Sequence, residues 1–170
     1  LTLLLGLRPA DVVEQLHLWQ PFTYMFLHSG IFHILFNMLA LWMFGVELER
    51  MWGSRFFVKY YFVCGAGAAL TTMVMAFTPF GFADQLYSSL TIGASGAVYG
   101  VLLAFSLLWP DRTIMLLFPP IPLKAIWFIP FLFFMEVVTP GARNVSHVGH
   151  LGGVLVGYVA LRAMGLGGRA

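Results

Sequence analysis

The feature that most constrains this chain is a set of long windows that contain no charged side chain. The windows lie between Glu14 and Glu47, Lys59 and Asp84, Asp84 and Asp111, and Arg143 and Arg162. Each can hold the about 20 mostly apolar residues that a transmembrane helix needs. Charged residues make up 9% of the 170 residues and hydrophobic residues 60%, whereas a soluble domain has about 25% charged residues. The sequence therefore predicts an all-α integral membrane protein and excludes a soluble globular domain.

The windows predict a single transmembrane domain over residues 1–170. A fifth window, between Lys124 and Arg143, is interrupted only by Glu136. We predict spans at residues 32–48, 56–77, 94–109, 123–138 and 146–163. Residues 1–7 are too few to cross a bilayer. We interpret them as the partial end of a first helix that is largely missing, so that the intact bundle would have six helices.

Net charge and cysteine content narrow the range of partners. The formal net charge is +2 and the sequence has no basic run, which argues against a nucleic-acid partner. Cys64 is the only cysteine, so no internal disulfide can form, and its apolar neighbours indicate a packing role. The partner that the composition indicates is the lipid bilayer.

The distribution of Lys and Arg predicts the orientation in the membrane. If the loop after the second span is cytoplasmic, seven basic residues lie inside: Arg50, Arg55, Lys59, Arg112, Lys124, Arg162 and Arg169. Only Arg8 and Arg143 then lie outside. This bias predicts that both termini of the six-helix protein face the cytoplasm.

Four polar residues inside the predicted spans lie at one depth. With a helical rise of about 1.5 Å per residue, Ser95 and His33 lie roughly 24 Å above the inner boundary, and Asn37 and His150 roughly 18 Å. Polar groups in a membrane are costly and are functional candidates by default. The four side chains therefore form one candidate site, a few ångströms below the outer edge of the apolar core.

The residues around Ser95 predict that its helix begins inside the membrane. Residues 91–96 have the sequence TIGASG, which is typical of a loop that passes into a helix N-terminus. The first N–H groups of a helix have no intrahelical partner and carry the positive end of its dipole. A hydroxyl nucleophile at Ser95 would thus have backbone donors for an oxyanion beside it.

Glycines at four-residue spacing predict a close helix crossing at the same depth. Gly96 and Gly100 lie on the fourth span, and Gly149, Gly153 and Gly157 lie on the sixth. Stripes of small residues let two transmembrane helices approach closely. His150 lies beside its stripe, so a close crossing would bring its imidazole within hydrogen-bonding reach of Ser95.

Three motifs resemble the rhomboid intramembrane serine proteases of bacteria. They are HILFN at residues 33–37, GASG at residues 93–96 followed by Tyr99 and Gly100, and HLGG at residues 150–153 followed by Gly157. The resemblance implies a six-helix rhomboid bundle and a serine endopeptidase that needs no cofactor and no metal. Its substrates would be single-span membrane proteins, cleaved within their transmembrane segments near the outer boundary of a bacterial inner (plasma) membrane.

The resemblance also implies a role for each motif residue. Ser95 would be the nucleophile and His150 the general base, in a dyad without an acidic residue. His33, Asn37 and the Ser95 backbone N–H would form the oxyanion hole, and Tyr99 would stack on the catalytic imidazole. The supporting glycines would be Gly93, Gly96, Gly153 and Gly157. The loop at residues 139–146 and the fifth span would move to admit the substrate.

Several alternatives stay open. The residues alone do not separate His147 from His150 as the base, and the resemblance favours His150. His28 fits a structural role at the same aqueous cavity, and Glu136 fits an interfacial or helix-capping role.

Two other functions are a catalytically silent rhomboid-like chaperone and a metal- or haem-binding membrane protein that uses His28, His33, His147 and His150. The sequence has neither an HExxH motif nor a cysteine cluster, which argues against a metal site.

Overall fold

The computed structural model describes residues 1–116, 120–138 and 146–166, and these residues are mostly helical. The helices are α1 (Thr2–Leu5), α2 (Pro9–Glu14), α3 (Gln20–Thr23), α4 (Ile31–Ala40), α5 (Val46–Trp52), α6 (Ser54–Met75), α7 (Ala83–Ser88), α8 (Ser95–Leu108), α9 (Phe128–Val138) and α10 (Ser146–Ala163). Two short strands, β1 (Thr113–Met115) and β2 (Pro122–Lys124), form an antiparallel pair. Single 3₁₀ turns cover Tyr24–Phe26 and Ala125–Trp127.

Two helices are long and apolar enough to cross a membrane, among the residues that the structure describes. The first is the continuous segment Ile31–Trp52, in which a π-helical turn at Leu41–Gly45 joins α4 to α5. The second is α6, and Gly53, with φ 78°, reverses the chain between the two. Helix α8 and the segment Ala125–Val138 are apolar but shorter. The predicted mostly helical fold is therefore confirmed, and two helices of the described residues are suited to a membrane. The count of six spans stays a prediction.

Helices α6, α8 and α10 form the tightly packed centre of the molecule. Their backbones meet at glycines: a Cβ added at Gly153 would overlap the carbonyl group of Gly96, and one at Gly157 would lie 3.2 Å from the Cα of Gly100. Cys64 of α6 is fully buried at the same contact. The glycine stripes on α8 and α10 thus place two backbones in direct contact, as their spacing predicts.

The outer helices α4 and α9 expose large apolar side chains. Phe32 is 69% exposed and Val137 is 81% exposed. Within α9 only Ile129 is buried. Soluble monomers rarely expose contiguous apolar surface on this scale, so these faces fit contact with lipid.

The structure corrects the predicted start of the fifth span. The prediction begins this span at residue 123, but Pro122–Lys124 is a strand and the helix begins at Phe128. At this pair, Lys124 Nζ lies 3.2 Å from Asp111 Oδ1, and the Arg112 guanidinium, just before β1, pairs with the carboxylate of Glu47 on α5. Residues 125–127, which follow Lys124, are apolar and continue directly into α9, so a hydropathy profile does not show where the strand ends and the helix begins.

Short helices occur in the segments between the predicted spans. Helices α2 and α3 lie between the first and second predicted spans, and α7 lies between the third and fourth. They have four to six residues each, too few to leave a periodic apolar pattern. Residues 139–145, including Arg143, and Arg169 lie outside the described residues, so the predictions made for them stay predictions.

Candidate active site

Ser95 is the first residue of α8, and the chain reaches it through a glycine with positive φ. Gly93 has φ 120°, a conformation that residues with a Cβ rarely adopt. Its N–H donates to the carbonyl of Tyr24 at 2.9 Å. Two residues before it, Thr91 pairs with Leu7 through two backbone hydrogen bonds of 2.7 and 2.9 Å. These backbone N–H and C=O groups of the non-helical segment are therefore hydrogen-bonded to other parts of the protein. Non-helical backbone at membrane depth requires such partners, so a helix can begin there.

The Ser95 hydroxyl meets the imidazole of His150 across the contact between α8 and α10. The distance from Ser95 Oγ to His150 Nε2 is 2.7 Å. The ring of Tyr99, one turn after Ser95, stacks on the imidazole with centroids 4.3 Å apart and planes 10° from parallel. The stacked ring holds the imidazole in the plane that faces the hydroxyl. A serine hydroxyl within hydrogen-bonding reach of an imidazole is the arrangement of an activated nucleophile.

His33 and Asn37 face the same site from α4. The backbone N–H of Ser29 donates to His33 Nδ1 at 3.2 Å, so neutral His33 carries its hydrogen on Nε2. A Cβ added at Gly93 would lie 2.7 Å from that Nε2, which places the His33 donor against the loop before Ser95. Asn37 is buried and its amide nitrogen donates to the carbonyl of His33 at 2.8 Å. This bond uses one of the two amide hydrogens.

A partly open cavity of about 600 Å³ lies beside the site. Its polar lining comes from His33, Asn37, Ser95 and Tyr99. The remaining lining is almost entirely apolar and comes mainly from α4, the π-helical turn, α8, β1 and α9. The dimensions and the lining fit an extended apolar ligand that would lie between α4 and α9 with one end at Ser95.

A second, much smaller cavity of about 10 Å³ lies on the other face of Ser95. Thr72, Thr91 and His150 are among its lining residues. The buried Thr91 hydroxyl has no hydrogen-bond partner among the residues that the structure describes. This cavity has about the volume that one water molecule needs.

Glu136 of α9 belongs to this site, although the sequence does not assign it there. Its carboxylate lies 2.6 Å from His150 Nδ1 and 2.6 Å from His147 Nδ1, and it also accepts a hydrogen bond from the Tyr99 hydroxyl. The sequence offers a signal for this position, because a carboxylate within an apolar span is costly and is functional by default. The position of Glu136 near the outer end of its span favours an interfacial or helix-capping role, and nothing in the sequence points to its contacts with the two histidines and Tyr99.

The other histidines occupy supporting positions. The His147 ring lies farther out than that of His150, with 39% of its side chain exposed against 13%. The His28 ring packs edge-on against His33 with centroids 4.9 Å apart. In the described part of the chain, no three His, Cys, Asp or Glu side chains are arranged to hold a metal ion. The histidine-ligated metal hypothesis thus receives no support from the geometry of those residues.

Comparison with known proteins identifies one family. The model of the Rhomboid domain matches residues 15–166. The chain is 32% identical over 162 residues to Rhomboid protease GluP of Bacillus subtilis, covering 95% of this chain and 29% of that protein. It is 33% identical over 139 residues to Rhomboid protein 1, mitochondrial, of Saccharomyces cerevisiae (79% and 38%). It is 30% identical over 156 residues to Rhomboid-like protein 15 of Arabidopsis thaliana (88% and 38%). The chain therefore spans less than half the length of these relatives.

Proposed function

This chain belongs to the rhomboid family, and on that premise we propose that it is an intramembrane serine endopeptidase. The observation that carries the proposal is the 2.7 Å contact between Ser95 Oγ and His150 Nε2. It occurs at a helix N-terminus, beside an apolar cavity that is bounded by exposed apolar helices. A serine hydroxyl, an imidazole and an apolar cavity thus lie side by side, which supports the proposal.

The reaction begins when Ser95 Oγ attacks the scissile carbonyl carbon. His150 Nε2 accepts the hydroxyl proton as the bond forms and later donates it to the leaving amine. The resulting acyl-enzyme is then hydrolysed by water, and the cavity beside Thr72 and Thr91 has room for one such molecule. Water gives its proton to His150, the acyl bond breaks, and Ser95 regains its hydrogen.

Three donors are suited to stabilise the oxyanion of the tetrahedral intermediate. The backbone N–H of Ser95 belongs to the first turn of α8 and has no intrahelical partner. The Nε2–H of His33 lies against Gly93, and Asn37 keeps a second amide hydrogen. Such preorganised donors contribute most where water is excluded.

The proposed substrates are single-span transmembrane proteins of the same bilayer. The cavity between α4 and α9 would receive a stretch of substrate that has left its helical conformation, since the scissile carbonyl must reach Ser95. In the orientation that the basic residues favour, Ser95 lies near the outer boundary and both termini of the six-helix protein are cytoplasmic. The proposed location is the inner membrane of a bacterium.

The first test is labelling with a fluorescent fluorophosphonate in mild detergent, followed by mass spectrometry of the labelled peptide. We expect a single adduct on Ser95. In the same preparation we expect cleavage of a single-span membrane protein within its transmembrane segment, near the outer boundary. A folded protein that neither reacts nor cleaves would contradict the protease and favour a silent, client-binding role.

The oxyanion donors predict a defined loss of rate. We expect His33→Ala and Asn37→Ala each to lower kcat on the order of 10²–10³-fold, the usual cost of one oxyanion donor. KM should change little, because these donors act mainly on the charge that develops in the transition state. Steady-state cleavage of a transmembrane substrate measures both constants. His17→Ala is the control, because the His17 ring stacks on Trp19 and not on a residue of the site. Unchanged kcat in both donor variants would exclude this oxyanion hole.

A further inference from the structure

We infer that Glu136 is a positioning residue that completes a Ser95–His150–Glu136 triad in this chain. The inference rests on the proposed function, because it assigns a part in the same reaction. Glu136 Oε1 lies 2.6 Å from His150 Nδ1, and His150 Nε2 lies 2.7 Å from Ser95 Oγ. The three side chains thus form one continuous line of hydrogen bonds.

The carboxylate determines which nitrogen of His150 carries the hydrogen. An ionised carboxylate only accepts hydrogen bonds, so His150 must donate from Nδ1. Neutral His150 then has its lone pair on Nε2, the atom that faces the Ser95 hydroxyl. This is the tautomer that a general base for Ser95 requires, and the carboxylate also stabilises the imidazolium that forms when the proton is transferred.

The site satisfies this carboxylate with three donors. Besides His150, Oε1 accepts from the Tyr99 hydroxyl and Oε2 accepts from His147 Nδ1. The Glu136 side chain is 17% exposed, and a carboxylate in that environment is stable only when it is well hydrogen-bonded. Tyr99 therefore restrains both partners, because its ring stacks on the His150 imidazole while its hydroxyl binds Glu136.

Glu136 is also the link between an outer helix and the catalytic histidine. Within helix α9 only Ile129 is fully buried, and Phe128, Leu132 and Phe133 pack against the core with part of their surface exposed. The Glu136 carboxylate reaches α8 through Tyr99 and α10 through the two histidines. The position of α9 and the orientation of the His150 ring are thus tied together by one side chain.

Two substitutions separate a carboxylate that positions His150 from a merely structural side chain. Glu136→Gln keeps the size of the side chain and removes its charge, whereas Glu136→Asp keeps the charge and shortens the reach. We expect Glu136→Gln to lower kcat by on the order of 10²-fold or more with little change in KM, since loss of the orienting carboxylate costs about 10⁴ in a serine protease. We expect Glu136→Asp to retain more kcat than Glu136→Gln. Glu14→Gln is the matched control, because Glu14 also accepts a hydrogen bond from a tyrosine, Tyr87, outside the site.

The opposite order would overturn the inference. If Glu136→Gln turned over as fast as the wild type, or faster than Glu136→Asp, size rather than charge would matter at this position. Nitrogen NMR of the histidine rings gives a second readout that needs no substrate: His150 should carry its hydrogen on Nδ1 in the wild type and lose that preference in Glu136→Gln. A wild type that neither labels nor cleaves would instead contradict the proposed protease, while the NMR comparison would still test the hydrogen bond.

Discussion

Replacing Ser95 by alanine should abolish proteolysis, and replacing His150 by alanine should do nearly the same. In a serine protease the loss of either the nucleophile or the base lowers kcat by on the order of 10⁶-fold. The two losses should not add in the double variant, because the residues act as one unit. Cleavage of a transmembrane substrate and reaction with the fluorophosphonate measure the effect.

Two matched variants control for the loss of a hydroxyl or an imidazole elsewhere in the chain. Ser106→Ala makes the same change on α8, where the Ser106 hydroxyl donates only to the carbonyl of Leu102. His17→Ala removes an imidazole that stacks on Trp19, away from Ser95. Both should react and cleave like the wild type. Turnover by Ser95→Ala or His150→Ala at the rate of these controls would rule out the proposed nucleophile and base.

Replacing Gly153 by valine should destabilise the protein more than an ordinary core substitution does. Overpacking a core costs about 1–3 kcal/mol when side chains can adjust, but the group that a Cβ at Gly153 would meet is the backbone of Gly96. We therefore expect a loss above about 3 kcal/mol and a lower melting temperature. Because Cys64 is the only cysteine and is fully buried, a thiol-reactive dye reports unfolding directly.

Gly81→Val is the control for this experiment. A Cβ at Gly81 would meet nothing within 4 Å, so this variant should melt like the wild type. Equal melting temperatures for Gly153→Val and Gly81→Val would show that α8 and α10 are not in backbone contact at this depth.

The positions of Ser95 and His150 could be predicted because each rests on a local rule with few alternatives. Depth follows from helical rise and from the charged residue that ends each span. The close crossing follows from glycines at four-residue spacing, and the three motifs together identify the family that the comparisons confirm. Each of these signals lies within one element, so the sequence carries it without knowledge of the neighbouring helix.

Glu136 and the strand pair β1–β2 could not be predicted in the same way. The role of Glu136 depends on which face of α9 turns toward α10, and α9 is apolar all round, so no polar stripe marks that face. The strands have three residues each, too few for an alternating pattern to appear. The hydrogen bond from Asn37 to the His33 carbonyl depends on the side-chain rotamer of Asn37, which cannot be deduced from the sequence.

The backbone contact between α8 and α10 affects how precisely the two helices hold Ser95 and His150 relative to each other. Where two helices meet through side chains, their separation changes whenever those side chains change rotamer. Here Gly96 and Gly153 leave no side chain between the two helix axes. Contact between main-chain atoms therefore sets how far apart α8 and α10 lie where they carry Ser95 and His150. The distance from Ser95 Oγ to His150 Nε2 also depends on the orientation of the His150 ring, which Glu136 ties to α9. Changes of lipid composition or temperature that repack α4 should leave the separation of the α8 and α10 backbones unaltered.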